Sequence, residues 1–176
     1  MCYFIKLFGF FFVARTTYTY SSAPNGFGIY LYNAANYNNI TNCNFSASSG
    51  FSIYLTSSSS FNTITGSSAT STSLENALVI TSSSSNNTFT MTNATATVGE
   101  GLDIETSSNG NVFANGRISG NQTYGAAYVG WAANNNTIAN NTINGGGKYA
   151  ATLQKGSSNP RTFFDIIEMN FTKHQE

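Results

Sequence analysis

Residues 134–143 read NNNTIANNTI, and the centre of this stretch is an asparagine, then any residue, then a large apolar residue. The same unit recurs with its apolar anchor at positions 40, 64, 89, 113 and 138, which lie 24, 25, 24 and 25 residues apart. The five units are Asn38/Ile40, Asn62/Ile64, Asn87/Phe89, Asn111/Phe113 and Asn136/Ile138. A fixed period of about 20–50 residues is typical of architectures in which short structural units stack on one another. This periodicity therefore outranks any local pattern as a guide to the fold.

Each repeat carries further apolar residues at fixed distances from its anchor. They form three rows: Ile29, Ile53, Leu78, Leu102 and Ala127; Leu31, Leu55, Ile80, Ile104 and Val129; Phe45, Ala69, Ala94, Ile118 and Ile143. Members of the first two rows alternate with other residues at period two, which predicts a β-strand with one buried face. Two or three short strands, joined by turns rich in Ser, Asn and Gly, return the chain to its start about 4.8 Å higher. We therefore predict an all-β chain folded as a parallel β-helix, or β-solenoid.

The asparagine of each unit has a structural explanation. Stacked coils place these residues above one another: Asn38, Asn62, Asn87, Asn111 and Asn136. Each amide can donate a hydrogen bond to one neighbour and accept one from the other, as in the asparagine ladders of stacked sheets. Asparagine also tolerates the left-handed backbone that a tight corner needs. We interpret this row as a structural Asn ladder.

The repeated Asn-x-Ile/Phe with flanking asparagines resembles the right-handed parallel β-helix repeat family. That group includes NosD-type periplasmic proteins, adhesin-like and surface-layer proteins, and pectin-lyase-like enzymes. The resemblance covers about residues 26–148. It implies a single-stranded right-handed parallel β-helix of about five to six coils, and it leaves the function open because one fold hosts many activities.

Three segments are expected along the chain. Residues 1–25 form an apolar N-terminal segment and a lead-in, residues 26–148 the β-helix repeats, and residues 149–176 a degraded last coil with a C-terminal cap. The apolar run at 2–14 is shorter than an ordinary membrane span. It is interpreted as a signal or anchor remnant, as a β-rich cap, or as an artefact of a truncated reading frame. For the C-terminal tail a short helical cap is favoured over a frayed end.

Charged residues make up 8% of the chain and the formal net charge is zero. This argues against nucleic acid as a partner, because nucleic-acid binding needs a basic patch. Low charge with abundant Ser, Thr and Asn suits a secreted or cell-surface protein, with the periplasm as a further location. No cofactor and no metal site are expected, since Cys43, Met91, Met169 and His174 are scattered. End-to-end contacts between copies are expected only if an end of the solenoid lacks a cap.

Residues between the buried ones of the first strand face outward and concentrate aromatic and acidic groups. The hypothetical glycan-binding strip comprises Tyr30, Tyr54, Asp103, Glu105, Tyr128 and Trp131. Carboxylates accept hydrogen bonds from sugar hydroxyl groups, and aromatic side chains offer large apolar surfaces to the C–H face of a sugar. We therefore expect a structural or adhesive module that binds glycan along this strip.

Two alternatives remain open. One is a polysaccharide hydrolase or lyase of the pectin-lyase-like type, with Asp103 and Glu105 as weak catalytic candidates. Paired carboxylates are what glycoside hydrolysis needs, but neighbouring repeats add no further acidic residues at these positions, and catalytic residues stay unassigned. The other is an inactive fragment of a longer surface protein.

Overall fold

The computed structural model describes the backbone of residues 5–8, 13–14, 19–23, 26–121, 125–130, 132–145, 150–153 and 163–171. Side chains are described for 26–121, 125–130, 132–145 and 150–152. These residues form strands, turns and bends, and the strands are numbered in chain order. First strands of the coils are β1 (Ile5–Phe8), β4 (Ile29–Tyr32), β7 (Ile53–Leu55), β10 (Leu78–Ile80), β13 (Leu102–Ile104), β16 (Ala127–Val129) and β18 (Ala151–Leu153). Second strands are β2 (Val13–Ala14), β5 (Asn39–Thr41), β8 (Thr63–Thr65), β11 (Thr88–Thr90), β14 (Val112–Ala114) and the start of β17 (Thr137–Gly145). Third strands are β3 (Thr19–Ala23), β6 (Cys43–Ala47), β9 (Ser68–Ser71), β12 (Asn93–Ala96), β15 (Arg117–Gly120) and the end of β17; β19 (Phe163–Phe171) follows.

Every strand pairs in parallel with its equivalent in the next coil. The first strands make a seven-stranded sheet, and the second and third strands make a twelve-stranded sheet joined through β17. The register is one residue to one residue across coils, for example Leu78 to Leu102 and Phe89 to Phe113. The predicted parallel β-helix is therefore confirmed, including its third row of strands.

The core is a column of apolar side chains between the sheets. Ile104 and Phe113 are each 1% exposed, and the other apolar members of the three sequence rows are equally buried. Phe89 and Phe113 stack inside the column with ring centroids 6.0 Å apart. One coil alone buries only a few such groups, at about 1.5–3 kcal/mol each, so the stack rather than the coil is the stable unit.

Rows of left-handed residues turn the chain at its corners, and two of these rows flank the second strands. One row lies between the second and third strands: Asn42, Gly66, Met91, Asn115 and Asn140, with φ between 49° and 61°. Another directly precedes the Asn ladder: Tyr37, Phe61, Asn86, Gly110 and Asn135. The ladder asparagines themselves do not have positive φ, so the expectation that they adopt the left-handed backbone is wrong. The residue before each one does so instead.

Strands outside the central repeats continue the stack. β1, β2 and β3 pair with β4, β5 and β6. At the other end β19 pairs with β17 over nearly its whole length. Residues 163–171 are a strand, so the favoured helical cap is wrong for them. The edge of the last coil offers unpaired backbone groups with which this strand pairs. Within the described ranges, no helix is long and apolar enough to cross a membrane.

Candidate functional site

The corner between the first and second strands, termed the ladder corner, is built from buried amides. Asn38 donates to Oδ1 of Asn62 from its backbone N–H at 2.9 Å and from Nδ2 at 2.8 Å. Asn62 and Asn87 repeat both bonds to the next coil at 2.9–3.0 Å. The Nδ2 of Asn111 donates instead to the carbonyl of Ser84 at 3.1 Å, while its backbone N–H reaches Oδ1 of Asn136 at 2.8 Å. All five side chains are at most 2% exposed, so this row holds coils together and is closed to ligands.

A second row of polar side chains runs along the outside of the same corner in the opposite direction. Oδ1 of Asn36 accepts from the N–H of Ser60 at 2.6 Å, and Oγ of Ser60 accepts from the N–H of Ser85 at 2.9 Å. Ser85 and Asn109 continue the row to residue 134. The side chains of both rows thus bind neighbouring coils.

The outward side of the first sheet carries three in-register rows of residues, termed the outer face. They are Phe27, Phe51, Asn76, Glu100 and Gly125; Tyr30, Tyr54, Val79, Asp103 and Tyr128; and Tyr32, Thr56, Thr81, Glu105 and Gly130. Coils are counted from the one that begins with β4, and the rows change character between the second and third coils. The first two coils supply mainly aromatic residues. The third coil supplies Asn76, Val79 and Thr81, and the fourth supplies acidic residues.

An aromatic cluster covers the outer face of the first two coils; it consists of Phe27, Tyr30, Tyr32, Phe51 and Tyr54. The rings of Tyr30 and Tyr54 are parallel within 4° and their centroids are 5.2 Å apart. Phe27 stacks on both tyrosines at 4.8 and 5.2 Å. All five side chains are half-buried. Burial, together with neighbouring Tyr54 and Tyr32, raises the pKa of Tyr30 above its usual value of 10.0, so its hydroxyl stays protonated.

The predicted strip is not continuous. Val79 is 3% exposed, and Thr56, Thr81 and Gly130 are also buried. The expectation that residues between the buried strand positions face solvent is therefore wrong for these four. Trp131 lies outside the described residues. Tyr128 follows Asp103 in register, and its ring lies over Gly130, where an added Cβ would overlap the phenol.

An acidic corner lies where the third and fourth coils meet the outer face; its residues are Glu75, Asn76, Glu100, Asp103 and Glu105. Nδ2 of Asn76 donates to Oδ2 of Asp103 at 2.9 Å, and Oδ1 of Asn76 accepts from the N–H of Glu100 at 2.7 Å. Burial first, and then the charges of Glu105 and Glu100, raise the pKa of Asp103 from 3.8 to about 8. Burial likewise raises the pKa of Glu100. The structure therefore brings Asp103, Glu105 and Glu100 together, whereas Tyr30 and Tyr54 belong to the aromatic cluster.

Metal-binding groups are sparse in the described ranges. No group of three or more His, Cys, Asp or Glu side chains there has an arrangement that could hold a metal ion. Cys43 is buried in the corner between the second and third strands, and its Sγ contacts the carbonyl oxygen of Thr41 at 3.3 Å.

Sequence reasoning placed Glu100 at a turn within reach of Asp103 and Glu105, but it did not identify Phe27, Phe51 and Asn76. All four lie two positions before the first buried strand residue of a coil. Strand alternation does not reach them because they belong to a turn. The constant offset of two residues is the signal that would have identified them.

Comparison with known proteins places these repeats in a family. The family described as right handed beta helix region matches residues 15–163, which is most of the chain. Searches of curated proteins and of solved structures found no match. The matched residues include all five Asn-x-apolar units and the outer face. The chain belongs to the right-handed β-helix family.

Proposed function

We propose that this protein is a structural or adhesive module, secreted or exposed at a cell surface, that binds glycan along the outer face of its first sheet. The aromatic cluster carries the proposal. Five half-buried rings in two adjacent coils form an apolar platform with three tyrosine hydroxyl groups among them. Such groups combine apolar contact area with hydrogen-bonding capacity, which suits sugar rings with apolar faces and polar rims.

The rigidity of the platform supports this role. Tyr30 and Tyr54 are held by backbone pairing in register and by mutual stacking. Side chains that are already ordered lose little entropy on binding. Because one face of each ring is turned to its neighbour, the cluster offers mainly ring edges, hydroxyl groups and the remaining faces.

Retention on immobilised polysaccharides tests this proposal. Tyr54→Ala is expected to weaken retention by about tenfold, which corresponds to about 1.4 kcal/mol, and Tyr54→Phe separates the loss of stacking from the loss of the hydroxyl group. Tyr37→Ala is the matched control, because Tyr37 is an exposed tyrosine stacked on Phe61 with ring centroids 5.1 Å apart at the ladder corner. Equal retention of all variants, with unchanged thermal midpoints, would overturn the proposal.

A polysaccharide hydrolase is the second candidate, and the raised pKa of Asp103 favours it. A carboxyl group protonated near neutral pH can act as the general acid of glycoside hydrolysis, with a second carboxylate as base or nucleophile. Glu105 lies two residues further along the same face, roughly 6.5–7 Å away at Cα. A reducing-end assay on a polysaccharide panel tests this function. An enzyme should release reducing ends, and Asp103→Asn should abolish that release, whereas a binding module should release none with either chain.

A further inference from the structure

The third and fourth coils form an open cavity at the corner that leads back into the first sheet. Its volume is about 300 Å³, and it is lined by Leu74, Asn76, Val98, Gly99 and Glu100. Leu74 is 80% exposed and flanks the opening, although a leucine side chain is normally buried. Apolar groups and one carboxylate therefore line a space at the lower end of the range of ligand sites.

The lining amide holds two acidic residues of the corner in place. Asn76 binds the N–H of Glu100 through Oδ1 and Asp103 through Nδ2, at 2.7 and 2.9 Å. It therefore fixes the two acidic residues relative to each other. Oδ1 of Asp103 is buried and accepts no hydrogen bond from the described residues. The charged group in the lining of the cavity is the carboxylate of Glu100.

Negative charge at this corner has no counterpart among the side chains that the structure describes. Arg117 is the one Lys or Arg residue among them, and its Nε donates to Oγ of Ser119 at 3.2 Å. Besides burial, the charge of Glu105 raises the pKa of Glu100, and the charges of Glu105 and Glu100 raise the pKa of Asp103. A cation near these groups would reverse that effect, because an opposite charge favours the ionised carboxylate.

We propose that the cavity receives a protonated amino group carried by a sugar ring, so that the glycan bound by this protein contains free amino sugars. This inference rests on the proposed glycan-binding function and names the class of glycan. The ammonium group donates hydrogen bonds to the carboxylate of Glu100, and the C–H groups of the ring pack on Leu74 and Val98. Glu100 lies two coils from Phe51 in the same row of the outer face, roughly 10 Å along the stack. One glycan chain can therefore reach both the cavity and the aromatic cluster.

Calorimetric titration with two chitin-type oligosaccharides of equal length tests the inference, one fully deacetylated and one fully N-acetylated. The full chain is expected to bind the deacetylated oligosaccharide at least about tenfold more tightly at low salt, and added salt should reduce this preference. Glu100→Gln is expected to remove the preference without weakening binding of the acetylated oligosaccharide. Glu75→Gln is the matched control, since Glu75 is an exposed carboxylate of the same corner that does not line the cavity.

The possible results separate this inference from the proposed function. Equal affinity for the two oligosaccharides overturns the amino-sugar inference and leaves glycan binding intact. Binding of neither oligosaccharide, nor of any polysaccharide on the column panel, overturns both. A lysine-containing peptide that binds in a Glu100-dependent manner while the deacetylated oligosaccharide does not would reassign the cavity to a protein partner and overturn the inference. Circular dichroism of each variant confirms that the isosteric substitutions retain the fold.

Discussion

The ladder corner and the corner between the third strand and the next coil have opposite characters. In the ladder corner the buried residues that flank the turn are always nine positions apart, as in Leu31 to Ile40 and Ile104 to Phe113. The corner between the third strand and the next coil, termed the third corner, varies in length. Its length alternates between five residues (48–52, 97–101) and six residues (72–77, 121–126). The alternating repeat of 24 and 25 residues thus arises entirely in the third corner.

Hydrogen bonding fixes the length of the ladder corner. At the ladder corner, the side chains of one coil bind the backbone and side chains of the next, so each turn must match its neighbours. The third corner also has side-chain bonds between coils, from the N–H of Glu100 to Oδ1 of Asn76 and from Nδ2 of Asn121 to the carbonyl oxygen of Thr97, but its length varies. The cavity and the acidic residues occur at this less constrained corner, in agreement with the general tendency of loops to carry function on a rigid scaffold.

Inserting one residue should have the largest effect on stability and should distinguish the two corners. A glycine added between Ser82 and Ser83 shifts the Asn87 turn against both neighbouring coils, and a shift of one residue turns buried side chains outward. We expect a loss of more than about 4 kcal/mol in the free energy of unfolding, an exceptional value for a small change. A glycine added between Leu74 and Glu75 should lower it by less than about 1 kcal/mol, because insertions in exposed loops are well tolerated. Urea denaturation measures both, and similar losses would contradict the distinction between corners.

Removing a single ladder amide should have the next largest effect. Asn87→Ala leaves buried partners of its side chain unsatisfied, among them the backbone N–H of Asn62 and the carbonyl oxygen of Ser59. An unsatisfied buried polar group costs about 1–3 kcal/mol, and we expect a destabilisation in that range. The control is Asn93→Ala at an exposed position of β12, which should change stability by less than about 0.5 kcal/mol. Equal effects would mean that the buried row adds nothing to the stack.

The acidic corner should make stability depend on pH in a definite direction. Because the folded-state pKa of Asp103 is raised from 3.8 to about 8, the folded chain binds more protons than the unfolded chain between these values. The contribution is fully present below pH 3.8 and is lost as the pH rises towards 8. Asp103→Asn removes this ionisable group. The substitution should therefore flatten this part of the curve of thermal midpoint against pH. Glu75→Gln should leave the slope as it is, and a wild-type midpoint that rises over this range would contradict the sign.

The smallest expected effect concerns the corner between the second and third strands. Met91 has φ 49° in a row that is otherwise Asn or Gly, and its side chain is 56% exposed. Only glycine, and to a lesser degree asparagine, adopts this backbone readily. Met91→Asn should therefore stabilise the fold by roughly 0.5–1 kcal/mol. Met91→Leu, which keeps the strain, serves as the control in the same thermal unfolding measurement.

Much of the fold follows from the sequence because stacking repeats one local environment many times. The anchors Ile64, Phe89 and Phe113 are buried as their period predicts, and the five asparagines meet in a column. The C-terminal tail was mispredicted because its 163–171 segment pairs with β17. Its Phe and Ile residues favour a strand, and the edge of β17 offers unpaired backbone groups to it.

The candidate site depended more on tertiary structure. Strand alternation placed Tyr30, Tyr54 and Asp103 on one face, but it treated Val79 as exposed. Burial of an outward residue depends on the size of its neighbours in the coils above and below, which no single repeat reveals. The same holds for the link from Asn76 to Asp103, since these residues are 27 positions apart and belong to different coils.

By itself, the sequence determined the period, the strands, the buried rows and the Asn ladder, because each depends on residues at a constant spacing. Only the tertiary structure decided that the outer face divides into an aromatic cluster and an acidic corner, that Phe27 and Phe51 join the former, and that a cavity adjoins the latter. The pKa of Asp103 belongs to this second group, because it arises from burial and from the charges of Glu105 and Glu100. These properties come from contacts between turns of unequal length, where the repeat no longer dictates the environment.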